Sequence, residues 1–115
     1  MKQNKEEARR NLLSALSRKI DIIGRIRIPN EILLSLKLEP KSQVAVTANV
    51  EKGYIILTPV GEDCKEPFVR TIDKMGRVVI PKAIRELLKI KDESDRFIMA
   101  VANGRQIFVY KRYTE

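Results

Sequence analysis

The stretch that decides the fold runs from Arg70 to Arg85 and reads RTIDKMGRVVIPKAIR. Gly76 permits a tight turn, the β-branched residues at 78–80 favour a short strand, and Pro81 suits the first position of a helix. The stretch therefore predicts a strand, a turn, a second strand and the start of a helix. Its remaining polar residues are mostly basic, which is typical of a surface that contacts phosphate.

A second copy of this stretch lies 52 residues earlier, from Arg18 to Leu33. Aligned without a gap, residues 18–60 and 70–112 share 13 identical residues over 43 positions. Most of these identities occupy turn, strand and helix-start positions: Arg18/Arg70, Ile20/Ile72, Asp21/Asp73, Gly24/Gly76, Arg25/Arg77, Ile28/Ile80, Pro29/Pro81, Ile32/Ile84, Leu36/Leu88 and Lys37/Lys89. The pattern indicates an internal duplication.

The duplication divides the chain into four segments. Residues 1–17 combine helix-forming residues with an apolar stripe, which predicts an amphipathic N-terminal helix that packs on the domain or mediates self-association. Residues 18–60 form the first repeat and residues 68–115 the second. Between them, residues 61–67 contain Gly, Pro and acidic side chains and are predicted to be a short linker.

Each repeat is predicted to follow the order β-β-α-β-β. The predicted strands are 18–22, 25–28, 43–50, 54–58, 96–101 and 106–111, and the predicted helices are 29–38 and 81–90. In the second helix the spacing predicts that Ile84, Leu87 and Leu88 are buried. The strand at 97–101 is apolar at almost every position, which predicts cover on both of its faces.

The two repeats are expected to pair with each other inside one chain. Each is too small to bury its apolar strands alone, and the short linker keeps the repeats adjacent. The alternative is that identical repeats from two chains pair, with the N-terminal helix as a further route to a homodimer or a higher oligomer.

The chain is strongly basic, with 23 Lys and Arg against 15 Asp and Glu and a net charge of +8. Residues 18–60 carry seven basic and four acidic side chains, whereas residues 70–112 carry eleven and five. A basic protein favours polyanionic partners, although excess charge also serves solubility alone. The second repeat is expected to supply most of the positive field.

Several classes of function are excluded or disfavoured by composition. The chain has no histidine, and Cys64 is its only cysteine, so disulfides, zinc knuckles and histidine-based catalysis are excluded. No nucleophile elbow or phosphate loop is present, so we predict no enzymatic activity and no metal or cofactor. No apolar run is long enough to span a bilayer, so we expect a cytoplasmic, nucleoid-associated protein with no membrane contact.

The stretch from Val69 to Ile90, together with the closing residues 109–113, resembles the signature of the AbrB family of bacterial regulators. The first repeat is similar but matches more loosely, and two copies per chain are also a feature of MraZ-type proteins. This resemblance implies a mixed, mainly β fold: a swapped-hairpin barrel in which two β-β-α-β-β repeats exchange strands. It also implies binding of double-stranded DNA through arginines of the strand–turn–helix element.

Position by position, the resemblance places DNA-contacting arginines at Arg70, Arg77 and Arg85. The first repeat has Leu33 and Leu34 where the family has its helix arginines, which predicts that this repeat contributes less to DNA binding. With the neighbouring basic residues included, the candidate DNA-binding residues are Arg18, Lys19, Arg25, Arg70, Arg77, Lys82 and Arg85.

An aspartate lies four residues before the turn arginine in each repeat, as Asp21 before Arg25 and Asp73 before Arg77. An aspartate beside a tight turn usually accepts backbone N–H bonds or orients a nearby arginine. Both aspartates are therefore predicted to support the turn and not to perform chemistry.

Three functions are compatible with the sequence. The first is a double-stranded DNA-binding transcriptional regulator, which arginine-rich strand–turn–helix elements favour. The second is an antitoxin that binds its operator with the same fold and masks a toxin with another segment. The third is a structural oligomerisation module.

Overall fold

The computed structural model describes residues 18–90 and 95–112, so the predicted helix at residues 1–17 lies outside the described residues. The fold is mainly β with few helices, which confirms the predicted class. The elements in these ranges are β1 (Arg18–Lys19), β2 (Arg25–Arg27), α1 (Asn30–Ser35), β3 (Gln43–Asn49), β4 (Tyr54–Val60), β5 (Val69–Thr71), β6 (Arg77–Val79), α2 (Lys82–Leu87), β7 (Arg96–Ala102) and β8 (Gln106–Arg112). None of the helices within the described ranges is long and apolar enough to cross a membrane.

Six strands form one curled, half-barrel sheet in the order β1-β7-β8-β4-β3-β5, and all neighbouring strands are antiparallel. The remaining strands, β2 and β6, form a separate antiparallel ribbon. Because β1 leads into β2 and β5 leads into β6, this ribbon joins the two edge strands of the curled sheet. The ribbon is therefore the place where the two ends of the sheet meet.

Hairpins of the two repeats alternate in the six-stranded sheet, and each repeat contributes one strand to the ribbon. β1 pairs with β7, so Arg18 lies opposite Phe97, and β4 pairs with β8, so Ile55 lies opposite Val109. The ribbon itself has one strand from each repeat, with Ile26 opposite Val78. Neither repeat therefore forms a complete sheet from its own strands.

One apolar core lies on the concave side of the sheet and is closed by the buried face of the ribbon. Fully buried side chains come from both repeats in pairs related by the duplication, including Ile28 and Ile80, each with no exposed surface. The other large side chains that are fully buried are Ile26, Ile55, Leu57, Ile72, Ile107, Val44, Val46, Val78 and Val109.

Two backbone hydrogen bonds connect the repeats reciprocally at the ends of the ribbon. The N–H of Ile28 donates to the carbonyl of Gly76 at 2.9 Å, and the N–H of Ile80 donates to the carbonyl of Gly24 at 2.8 Å. Both glycines have positive φ, +91° and +76° for Gly24 and Gly76, a conformation that side chains disfavour. Each turn therefore needs its glycine in order to present its carbonyl to the other repeat.

Both helices are shorter than predicted, because each ends in a residue with left-handed backbone geometry. Lys37 and Lys89 have φ of +55°, and the N–H of Leu38 donates to the carbonyl of Leu33 at 2.8 Å to close the first helix. The predicted burial of Leu87 is wrong: this side chain is 57% exposed. Within α2, only Ile84 is buried. Leu88, the residue that caps the C-terminus of the helix, packs against the core.

The gapless alignment of the repeats fails at the third strand. Val44 and Phe97 both face the core, so β3 and β7 correspond at an offset of 53 residues and not 52. A shift of one residue would turn each core side chain to the other face of the sheet. The prediction that β7 is covered on both faces is also wrong for the described residues, because Met99 is buried while Ala100 is exposed.

We predict that Ile28→Ala and Ile80→Ala lower the free energy of unfolding by similar amounts, each by about 2–5 kcal/mol, because both leave a cavity at a fully buried position. Chemical denaturation of each variant measures this loss. Leu34→Ala serves as the control, because Leu34 is 80% exposed, and it should change stability by less than about 0.5 kcal/mol. A loss at only one of the two isoleucines would contradict their equivalence.

Candidate nucleic-acid interface

The first turn, between β1 and β2, is organised by one carboxylate. Asp21 Oδ1 accepts the backbone N–H of Ile23 at 3.1 Å and that of Arg25 at 2.8 Å. Asp21 Oδ2 accepts the side-chain Nε–H of Arg25 at 2.6 Å. The same aspartate therefore fixes the backbone of the turn and the orientation of the guanidinium that follows it.

The second turn, between β5 and β6, repeats this arrangement. Asp73 Oδ1 accepts the backbone N–H of Met75 and of Arg77, both at 2.8 Å, and Oδ2 accepts Nε–H of Arg77 at 2.8 Å. The predicted role of the two aspartates in supporting the turn and orienting the arginine is confirmed. Because the bond uses Nε, the terminal nitrogens of each guanidinium remain able to donate to a ligand.

These contacts also change the acidity of the carboxyl groups. Burial raises the pKa of Asp21 and of Asp73, but the hydrogen bonds from the backbone and the side chain of the neighbouring arginine together outweigh it. The net result is a pKa below the ordinary value of 3.8 for both groups. Both aspartates are therefore ionised at neutral pH, and each forms an ion pair with its arginine.

The outer face of the ribbon carries an unusual concentration of arginine. Ile26 and Val78 face the core, so the alternate positions Arg25, Arg27 and Arg77 lie on the face that is not buried. Arg27 lies directly opposite Arg77 in the antiparallel register. Like charges at opposed positions destabilise a sheet, and the ion pair between Arg77 and Asp73 offsets part of this repulsion.

Each helix packs against the turn of the other repeat. A Cβ atom placed on Gly24 would lie 2.9 Å from Cζ of Arg85, and one placed on Gly76 would lie 3.0 Å from a methyl carbon of Leu33. Arg85 is also fixed by a 3.1 Å bond from its Nε to the carbonyl of Ile80. The surface thus consists of two composite units: unit one is turn 21–24 with Arg85, and unit two is turn 73–76 with Leu33.

This exchange of helices changes how the two repeats are expected to contribute to DNA binding. The helix arginine of the second repeat, Arg85, lies beside Gly24 in the turn of the first repeat. Arg25 follows Gly24 directly in the sequence. The leucine of the first repeat lies beside the turn that precedes Arg77. The predicted larger contribution of the second repeat to DNA binding, and the smaller one of the first, therefore cannot be assigned to separate parts of the surface.

The other predicted residues lie outside the ribbon. Arg18 and Lys19 are in β1 and Arg70 is in β5, at opposite edges of the six-stranded sheet. Arg70 donates to its neighbouring carbonyl at Val69, 3.0 Å away, and its guanidinium lies 5.9 Å from the ring centre of Phe68. Lys82, on α2, is exposed and forms only a loose pair with Glu86 at 3.9 Å.

Two further arginines, Arg27 and Arg96, were not among the residues predicted from the sequence. Arg27 was overlooked because its counterpart in the second repeat is Val79, although the alternation Arg25-Ile26-Arg27 places both arginines on one face. Arg96 lies opposite Lys19 between β7 and β1, a second pair of like charges. That pairing joins residues far apart in sequence, so no local pattern could have indicated it.

Within residues 18–90 and 95–112, no group of three acidic or cysteine side chains is placed to bind a metal ion. The free Cys64 is half-buried in the segment between the repeats.

Comparison with models of protein families and with curated proteins finds no match. Among solved structures, the chain is similar to one described as the solution structure of PHS018 from Pyrococcus horikoshii. The two share 26% sequence identity, and the similarity covers 85% of this chain and 92% of that chain with a TM-score of 0.46.

We predict that Asp73→Asn lowers the free energy of unfolding by about 1 kcal/mol at neutral pH, because the turn and Arg77 lose a charged acceptor. A carboxyl group with a lowered pKa stabilises the fold above its ordinary pKa and loses this effect as the pH falls through the folded value. The difference between the two proteins should therefore shrink as the pH falls below the ordinary value of 3.8, as measured by denaturant unfolding. Glu51→Gln, in the exposed β3–β4 turn, is the control, and a difference that persists in acid would contradict this role.

Proposed function

We propose that this chain is a double-stranded DNA-binding transcriptional regulator of the AbrB type, and that it contacts DNA with the outer face of the β2–β6 ribbon. The observation that carries the proposal is the opposition of Arg27 and Arg77 across the ribbon, beside Arg25. Asp21 and Asp73 offset the charge of Arg25 and Arg77, and Arg27 leaves this face of the ribbon with a net positive charge. A phosphate backbone is attracted to such a surface.

The geometry of the arginines suits DNA in particular. Asp21 and Asp73 bind Nε of Arg25 and Arg77, so two of the three arginines are oriented before any ligand arrives. Arginine presents a planar fork that fits phosphate oxygens and the edge of guanine equally well. Preorganised donors lose less side-chain entropy on binding than flexible lysines would.

The dimensions of the ribbon also support this proposal. A two-stranded antiparallel ribbon fits the major groove of B-DNA, which is about 12 Å wide. The arginines of its outer face would meet phosphates along the groove, and the exposed tips of the flanking turns 21–24 and 73–76 would reach the base edges. The apolar inner face of the ribbon stays on the core and is not needed for contact with DNA.

We further propose that the architecture is the swapped hairpin implied by the AbrB resemblance, with both halves supplied by one chain. The interleaved pairings of β1 with β7 and β4 with β8 support this, because each repeat completes the other's sheet. The segment 61–68 that joins β4 to β5 is short, which favours pairing within the chain over pairing between chains.

We predict that Arg27→Ala and Arg77→Ala each weaken DNA binding several-fold at moderate salt and reduce the slope of log K against log salt by about 0.9, the value expected for one lost phosphate contact. Fluorescence anisotropy with labelled duplex DNA over a range of salt measures both quantities. Lys52→Ala, in the exposed turn between β3 and β4, should leave the slope unchanged. Equal slopes for Arg77→Ala and the parent would show that the ribbon is not the contact surface.

We also predict that the denaturation midpoint of the chain does not change when its concentration is raised about a hundredfold. A fold completed within one chain unfolds in a unimolecular step, whereas a fold completed by pairing of two chains becomes more stable with concentration. Circular dichroism at the two concentrations distinguishes them. A midpoint that rises with concentration would favour pairing of like repeats between chains.

A further inference from the structure

The two turns of the proposed DNA surface have the same backbone but different tips. In the first turn the exposed tip residues are Ile22 and Ile23, which are 84% and 58% exposed. In the second turn the corresponding residues are Lys74 and Met75, and Met75 is 53% exposed. The hydrogen bonds that define the two turns are otherwise equivalent.

Two consecutive isoleucines are unusual in an exposed turn. Turns favour Gly, Asn, Asp and Ser, and β-branched residues gain nothing there from strand geometry. Asp21 fixes this turn through the N–H groups of Ile23 and Arg25, so the isoleucines are presented rigidly to solvent. A local rule broken without a packing benefit is typical of a functional position.

The two composite units therefore differ in opposite ways. Unit one has an apolar tip and a cationic helix residue, Arg85, whereas unit two has a tip with Lys74 and an apolar helix residue, Leu33. The ribbon adds a further difference, since Arg27 of the first repeat corresponds to Val79 of the second. A surface with unlike halves cannot be complementary to two identical half-sites.

We infer that the chain binds a non-palindromic duplex in one orientation, and that Ile22 and Ile23 select thymine in the half-site facing unit one by contact with its C5-methyl group. This inference rests on the proposed DNA binding and adds the determinant of sequence preference. The thymine methyl is the apolar feature of the major groove, and aliphatic side chains are the groups that contact it. Unit two, with a lysine at its tip, has no equivalent preference for the methyl group.

The structure supplies a matched variant for the test. The double variant Ile22→Lys with Ile23→Met gives the first turn the same tip as the second, whose backbone already accommodates these residues. Val50→Lys is the charge control, because it adds one positive charge at an exposed β-branched residue in the β3–β4 turn. Both variants retain all the arginines of the ribbon.

The first experiment selects bound sequences from a random duplex library with the parent and each variant. The parent and Val50→Lys should select sites with two unlike halves, and the double variant should lose the thymine preference in one half only. Failure to enrich any duplex would refute the proposed DNA binding itself. Enrichment of a palindromic site by the parent would refute this inference while leaving DNA binding in place.

The second experiment replaces thymine by uracil at the preferred positions of the selected site, which removes the C5-methyl group and keeps the base pairing. The parent should bind about threefold to fivefold more weakly for each contacted methyl that is removed. The double variant should bind the thymine and uracil duplexes equally. A parent that is indifferent to uracil, or a double variant as sensitive as the parent, would overturn the assignment to Ile22 and Ile23.

Discussion

The reciprocal union of the two repeats at the β2–β6 ribbon is the constraint on which the rest of the structure depends. Gly24 presents its carbonyl to Ile80, and Gly76 presents its carbonyl to Ile28, so each turn completes the strand of the other repeat. Because the ribbon joins the two edges of the curled sheet, these bonds also determine where its ends meet. The buried face of the ribbon then closes the core.

The same constraint brings the arginines together. A ribbon with a buried inner face must expose its alternate positions, and one strand from each repeat then places Arg27 opposite Arg77. Two separate turns would each present an arginine whose charge is offset by its own aspartate. Their union brings sequence elements 52 residues apart together and adds Arg27 to the two Asp–Arg pairs, which leaves the surface with a net positive charge.

Much of this fold could be predicted from residues close together in the sequence. The remainder depends on contacts between residues far apart in the sequence. The turn glycines, the short strands and both long hairpins were predictable because each rests on residues close in sequence. The helix ends were not, because lysines at positions 37 and 89 adopt the left-handed geometry that normally indicates glycine. Of the candidate site, Arg25, Arg77 and Arg85 were already candidates in the sequence, whereas Arg27 becomes significant only through its partner on the other repeat. The position of Arg85 beside Gly24 of the first repeat follows from the fold and not from local sequence.

The positions at which the repeats differ are themselves informative. Core positions are apolar in both repeats, and Ile28 and Ile80 are identical and fully buried, because the packed interior is shared by both repeats. Exposed positions around the ribbon differ, as at Ile22 and Lys74. In a symmetric dimer a substitution appears twice and both halves change together. Two repeats in one chain accumulate substitutions independently, so the internal duplication preserves the scaffold while allowing the two halves of the surface to acquire different chemistry.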